Sequence, residues 1–276
     1  IPRFVSPKNY SKSFGMQWKK WSRVQFDSDN IGKPMENYTS KMLNRITELD
    51  KEDLKDKKIL EIGCGSGRFL DVLSDKNCFL FGIDNSASID ETKKNLDFMD
   101  KKKILLLQCD TYNLPFKNNL FDHIFSIGVL HHTPKPDSVI AKIYDLIKNK
   151  GSFSFSVYNK NSYYGLPNVN FWRKFFNFLS PIFSFYPAMI YSYFTIFLLR
   201  PITKIHKIFD LIIRIPFPFC NEPDFKWSLL DTFDSVTPKY QSTHETYEVY
   251  MWLKKNKFLE IKPTNWGAAS FKGYKL

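Results

Sequence analysis

The 276-residue chain is poor in cysteine. Its four, Cys64, Cys78, Cys109 and Cys220, are scattered, which excludes a disulfide-stapled scaffold and leads us to expect a reducing, cytoplasmic compartment. No CxxC pair or His-rich cluster offers zinc spacing, and the CxxxCxxC spacing of radical iron–sulfur enzymes is absent, so no metal is expected. The sequence shows no internal repeat at periods of about 20–50 residues and no signal-peptide h-region. Acidic residues are outnumbered: 28 Asp and Glu against 40 Lys and Arg leave a net charge of +12. That balance favours acidic partners and says nothing about fold. Aromatics, by contrast, are abundant, with 27 Phe and 14 Tyr. A hydrophobic share of 43% with 25% charged residues is that of a globular protein, not a disordered one.

Apolar runs and amphipathic stretches alternate from Lys58 to Tyr158. KILEIG, CFLFGID, KILLLQCD, FDHIFSIG and SFSFSVYN read as five strands. RFLDVLSDK, SIDETKKNLDFMD and PDSVIAKIYDLIKNKG read as helices between them, the last with Gly151 as its expected C-cap. Such alternation predicts an α/β doubly wound sheet, mostly parallel. THETYEVYMWLKKN then reads as a helix, with KFLEIKP and ASFKGYK as closing strands. The expected organisation is a lid or cap over 1–57, containing a helix from about Tyr38 to Leu49, a core over 58–158, a helical insertion after the fifth strand over 159–241, and a closing segment over 242–276. Within the insertion, the 25 residues Phe175–Leu199 carry no formal charge, although Pro181, Pro187 and several Ser and Tyr interrupt them. The segment therefore reads as a membrane span, a surface-lying membrane element or a helical cover over the active site.

The chemistry concentrates at Ile59-Leu-Glu-Ile-Gly-Cys-Gly-Ser-Gly-Arg-Phe69. An apolar strand ends in Glu61; Gly63, Gly65 and Gly67 turn the chain into a helix whose first N–H groups are free. A dinucleotide fingerprint would need a small residue where Arg68 stands. An acid just before the glycines also suits an ammonium group, not a pyrophosphate. A tight turn without ligand is the structural alternative. Three further features lie at strand ends. Asp84 ends the second strand, where a carboxylate can accept both hydroxyls of a ribose. Asp110 and Thr111 follow the third, where an adenine amino group can be read. FDHIFSIGVLHH ends the fourth beside the same crevice.

Taken in order, Glu61-Ile-Gly-Cys-Gly-Ser-Gly67, Asp84, Asp110 with Leu114-Pro115-Phe116, Phe121-Asp122 and Leu130-His131-His132 resemble the motifs of class I S-adenosylmethionine-dependent methyltransferases, type 11, of the ubiquinone/menaquinone C-methyltransferase-like group. The resemblance implies a Rossmann-like sheet with an antiparallel final strand near Ser270–Lys275 and S-adenosylmethionine as cofactor. It implies that Gly63, Cys64, Gly65 and Gly67 cradle the methionine part, Glu61 its amino group, and Asp84 with Asn85 the ribose. Asp110 and Thr111 would meet adenine, and Ile127, Gly128 and His132 would line the site under the sulfonium. His131 or His132 is the expected base, with His244 and Asp110 in reserve. Tyr10-Ser-Lys-Ser-Phe-Gly-Met-Gln-Trp18 and Asp231–Tyr240 resemble segments of bacterial members often encoded with glycan genes. As lid and acceptor wall they contribute Tyr10, Gln17, Trp18 and Tyr240, with His244 beside them.

The acceptor is approached by exclusion. No NPPY-type tetrapeptide and no Pro-Cys pair is present, which disfavours amino methylation of adenine or glutamine and carbon methylation of pyrimidines. Residues 1–40 carry +4 and 171–219 carry +5, together +9 of the +12. A greasy, basic insertion suits a small, amphiphilic acceptor with an anionic headgroup, methylated on hydroxyl or carbon, with peripheral membrane association through 171–219. An RNA-modifying methyltransferase and a non-catalytic cofactor-binding module are the alternatives, the former motivated by aromatics among basic residues such as Trp18, Trp21 and Phe26.

Overall fold

The computed structural model describes residues 1–5 and 9–276. Its described strands form one sheet: β1 (Arg3–Phe4), β2 (Lys58–Ile62), β3 (Phe79–Asp84), β4 (Ile104–Cys109), β5 (Phe121–Ile127), β6 (Ile147–Ser156), β7 (Leu259–Pro263) and β8 (Ser270–Tyr274). Their spatial order is β1-β4-β3-β2-β5-β6-β8-β7. Pairing is parallel except at β8, which runs antiparallel to β6 and β7. The α-helices are α1 (Lys12–Lys20), α2 (Tyr38–Thr47), α3 (Arg68–Leu73), α4 (Ile89–Asn95), α5 (Ile140–Leu146), α6 (Pro167–Phe183), α7 (Tyr186–Phe194), α8 (Arg200–Thr203), α9 (Lys207–Arg214), α10 (Phe225–Val236) and α11 (Thr246–Lys255).

Helices on both faces explain why the central strands are nearly all apolar. In β2, Ile59 joins the cluster of Leu43, Ile46, Leu70 and Phe125, while Leu60 and Ile62 join Ile124, Ile143, Phe153 and Leu253 on the other face. From β2 the chain winds outward through β3 and β4, then returns to the opposite side for β5 and β6. That reversal opens a crevice at the carboxyl ends of β2 and β5, where open α/β sheets bind ligands.

Two local expectations are corrected. The helix expected to run to a cap at Gly151 ends at Leu146, because Ile147 already pairs with Phe121 and begins β6. Gly151 lies inside that strand, where a Cβ would meet the Asp122 carbonyl oxygen at 2.7 Å. The short β1 had no sequence signal; Arg3 pairs with Gln108 and extends the sheet beyond β4.

The insertion builds its own core from Phe176, Tyr191, Phe219, Leu230 and Phe233, which Trp21, just after α1, enters. Its uncharged run is folded back on itself: α6 ends at Phe183, Ser184 takes a left-handed φ of 54°, and α7 begins at Tyr186. Among the described residues no helix is long and apolar enough to cross a membrane, which removes the spanning reading.

Candidate active site

A cavity of about 470 Å³ lies in the crevice, within the usual range of small-molecule sites, about 300–1,000 Å³. The turn after β2 forms one wall. Gly63 and Gly65 take φ of 79° and 56°, and both the Gly63 and Cys64 N–H groups donate to the Ile83 carbonyl (2.8 and 2.9 Å). A Cβ on Gly65 would lie 2.9 Å from Trp18 Nε1, so the α1 indole rests directly on the bend. Thr92 Oγ1 donates to the Gly65 carbonyl and Asn95 Nδ2 to that of Ser66, tying α4 to the same turn.

Asp84, at the end of β3, accepts from Gly65 N–H (2.9 Å) and from both N–H and Oγ of Ser86 (2.7 Å each). Burial nevertheless pushes its pKa up. Glu61 faces the cavity fully buried, with Oε2 unpartnered. Burial pushes its carboxyl up to about 8, helped by the charge of Asp84 and opposed by Arg68. A cation arriving beside Glu61 would restore the charged form. Arg68, the first residue of α3, also lines the cavity; its Nη1 lacks a partner and burial lowers its pKa.

Asn85, Thr111, Ile127 and Gly128 border the cavity, as do Tyr10, Gln17 and Trp18. Gly67, Asp110, Tyr240 and His244 do not line it. Gly67 turns the chain into α3. Asp110 sits one shell back, accepting from Tyr10 Oη and Asn85 Nδ2 (3.3 Å each). The Tyr240 ring packs edge-on against Tyr10, and its carbonyl accepts from His132 Nδ1 at 3.1 Å. His244 is held by Glu248 and Ser242 (2.9 and 2.8 Å), and Ser242 N–H in turn donates to the His131 carbonyl.

Since a carbonyl only accepts, His132 carries its proton on Nδ1 and presents a bare, unpartnered Nε2. Burial lowers its pKa to about 4. His131 is fully buried, packed on Tyr158 at a 34° tilt with centroids 3.7 Å apart, and burial lowers its pKa strongly. Both rings are neutral at pH 7.

The segment Asp231–Tyr240 was expected to form an acceptor wall, but its acids were not singled out as site residues. Asp231 and Asp234 of α10, with Glu222 before it, line the cavity beside Tyr158 and Tyr164. Two acids three residues apart were the available signal, because that spacing places them on one helical face. Asp224 orders this helix by capping the Trp227 N–H at 2.9 Å. No group of three potential metal ligands occurs among the described residues.

Residues 60–155 match the family model described as a methyltransferase domain. Among curated proteins, the ubiquinone biosynthesis O-methyltransferase of Coxiella burnetii is 32% identical over 109 residues, covering 39% of this chain and 46% of that protein. The probable tRNA methyltransferase 9B of Bos taurus is 34% identical over 93 residues, covering 34% of this chain and 19% of that protein. The chain thus spans about half the length of the ubiquinone-pathway relatives it matches. A solved SAM-dependent methyltransferase from Aquifex aeolicus aligns over 93% of this chain and 96% of its own at 13% identity, with a TM-score of 0.49. Residues 60–155, about a third of the chain, thus carry a methyltransferase domain. S-adenosylmethionine is the cofactor that the sequence resemblance implies, and the orphaned Glu61 oxygen and the Gly65 bend, which has no room for a Cβ, fit its ammonium end.

Proposed function

We propose that the chain transfers a methyl group from S-adenosylmethionine to a hydroxyl of a small, amphiphilic acceptor at a membrane surface. The observation that carries the transfer is the shared cavity: the glycine bend and Asp84 form one wall, α1 and α10 the other. In this reading Glu61 holds the methionine amino group, Asp84 and Asn85 the ribose, and Thr111 the adenine edge, with Asp110 positioning Tyr10 and Asn85. Bound there, the cofactor supplies an electrophilic methyl group on a sulfonium. The chain's own residues align the acceptor, exclude water beneath Trp18 and α10, and take up the acceptor proton. Oxygen is favoured over carbon by the O-methyltransferase relatives.

The membrane part rests on the insertion's outer surface. Ile208, Leu211 and Ile212 of α9, with Ile215 at its C-cap, form an i, i+3, i+4, i+7 stripe, all exposed, and α9 buries none of its residues. Phe178 and Ile182 of α6 are 80% and 79% exposed. Residues 171–219 carry six Lys and Arg against Asp210 alone. An apolar stripe with a cationic border matches an anionic bilayer surface, where each buried Leu or Ile contributes about 1.5–3 kcal/mol. Vesicle flotation tests this. The chain should float with phosphatidylglycerol vesicles, and Leu211→Asp with Ile212→Asp should release it. Absence from the lipid fraction would leave α6–α9 as a cover only. Methyl transfer itself is tested by formation of S-adenosylhomocysteine with lipid extracts; turnover with RNA but not lipid would select the tRNA-like reading instead.

A further inference from the structure

The cavity and the outer surface differ in sign. Asp231, Asp234 and Glu222 line the space together with Glu61 and Asp84, and Arg68 is the single Lys or Arg among the described lining residues. The basic residues that give the chain its +12 lie elsewhere. Sequence reasoning led us to expect an anionic headgroup in the acceptor; burial raises the pKa of Glu61, Asp84, Asp231 and Glu222, so this acid-lined wall is built of weakly ionised carboxyls and offers such a headgroup little cationic partnership.

Resting on the methyltransferase reading above, we infer that Asp231 and Asp234 form the acceptor subsite and take a hydrogen-bond-donating group that is neutral or cationic, an alcohol or an amine, with Asp234 receiving its proton. Four observations converge. Tyr158 Oη donates to Asp234 Oδ2 at 3.2 Å and Gln17 also bonds this carboxylate, fixing it on the cavity wall. Gln25 Nε2 reaches Asp231 Oδ1 only at 3.4 Å. Gln17, 1% exposed and lining the cavity, keeps Oε1 unpartnered, an acceptor awaiting a donor. His132 Nε2, buried on the same cavity, is a second such acceptor. Gln17 Oε1 and His132 Nε2 are thus unmet acceptors, the complement of O–H or N–H, while the unmet donor Arg68 Nη1 lies in the same cavity and its charge acts on Asp231.

The proton has a fitting destination. Burial raises Asp234 to about 6, with bonds from Gln17 and Tyr158 opposing, whereas His132 stands at about 4. At pH 7 both are unprotonated, and the carboxylate is the stronger base by about two powers of ten. As the acceptor's O–H or N–H proton passes to Asp234, its lone pair forms the new bond to the methyl carbon. The carbon–sulfur bond breaks with its electron pair left on sulfur, giving the neutral thioether.

The test uses the full chain saturated with S-adenosylhomocysteine and three probes on one scaffold: benzylamine, benzyl alcohol and benzyl phosphate. Calorimetry should show benzylamine or benzyl alcohol binding at least tenfold more tightly than benzyl phosphate; tighter binding of the amine than of the alcohol would keep the subsite but replace the hydroxyl acceptor proposed above by an amine. Asp234→Asn should erase or invert that preference while changing S-adenosylhomocysteine affinity less than twofold, and Asp234→Glu should restore it in part. A merely structural aspartate would not move the charge preference. Tightest binding of benzyl phosphate, no binding of the amine or alcohol, or an unchanged preference in Asp234→Asn would overturn the subsite. Absence of S-adenosylhomocysteine binding to the unmodified chain would instead overturn the methyltransferase reading, and the inference with it.

Discussion

The bend after β2 makes a quantitative demand. A Cβ added at Gly63 would lie 2.9 Å from Val129 Cβ and closer still to both γ-methyls, at a φ of 79°. The left-handed backbone costs a non-glycine residue roughly 1–2 kcal/mol, and forcing a methyl into a filled space about 1–3 kcal/mol. Gly63→Ala should therefore destabilise the fold by about 2–5 kcal/mol, a large part of a typical stability of roughly 5–15 kcal/mol. With a urea slope of about 2–3 kcal/mol per molar, the midpoint moves by about 1–2 M. The two causes separate in a double-mutant cycle. Adding Val129→Ala removes the collision but leaves φ unchanged, so the pair should be more stable than the two single effects predict, by the steric share. Urea unfolding followed by tryptophan fluorescence reads both quantities. A Gly63→Ala midpoint within about 0.2 M of the parent, or strict additivity with Val129→Ala, would refute the close approach of the bend to the end of β5.

Asp84→Ala removes the acceptor of three short hydrogen bonds around the bend. Charge-assisted bonds of about 1.5–3 kcal/mol make the expected loss of S-adenosylmethionine affinity roughly 10- to 150-fold by calorimetry; unchanged affinity would contradict the assignment. Far from the site, Glu52 accepts from His123 Nε2 (2.9 Å) and from Lys272, which is 1% exposed. The His123 bond, outweighing burial and joined by the Lys272 charge, holds Glu52 down at about 2 against an ordinary 4.5. Its contribution to stability is therefore complete above about pH 4.5 and is lost as pH falls toward about 2. Glu52→Gln should flatten the stability profile across that window, and an unaltered acid limb in denaturation midpoints would contradict the pairing.

The parallel sheet was legible because buried strands write themselves as uninterrupted apolar runs, and the glycine bend because a strand–helix turn this tight needs residues free to take positive φ. The order of strands placed Glu61, Asp84 and Gly128 around one crevice from sequence alone. What escaped was set by distant partners. Arg3 and Phe4 have no strand signature of their own and join the sheet because β4 offers an open edge. Ile147 leaves its helix because Phe121 pairs with it. The roles of Asp231 and Asp234 within their segment depend on α10 packing against α1, α6 and α7, with Tyr158, just after β6, donating to Asp234. His131 and His132 stand at an informative position in the chain, yet their basicity depends on burial against Tyr158, Tyr240 and Phe14, which spacing does not report.

The central claim is that the first bend and the acids beyond the neighbouring strands hold one sulfonium nucleoside. Isothermal titration of the full chain with S-adenosylmethionine tests it most directly. The account predicts saturable binding at one site per chain, weakened by Asp84→Ala. No saturable heat up to about 1 mM ligand, an affinity of about −4 kcal/mol, would contradict it.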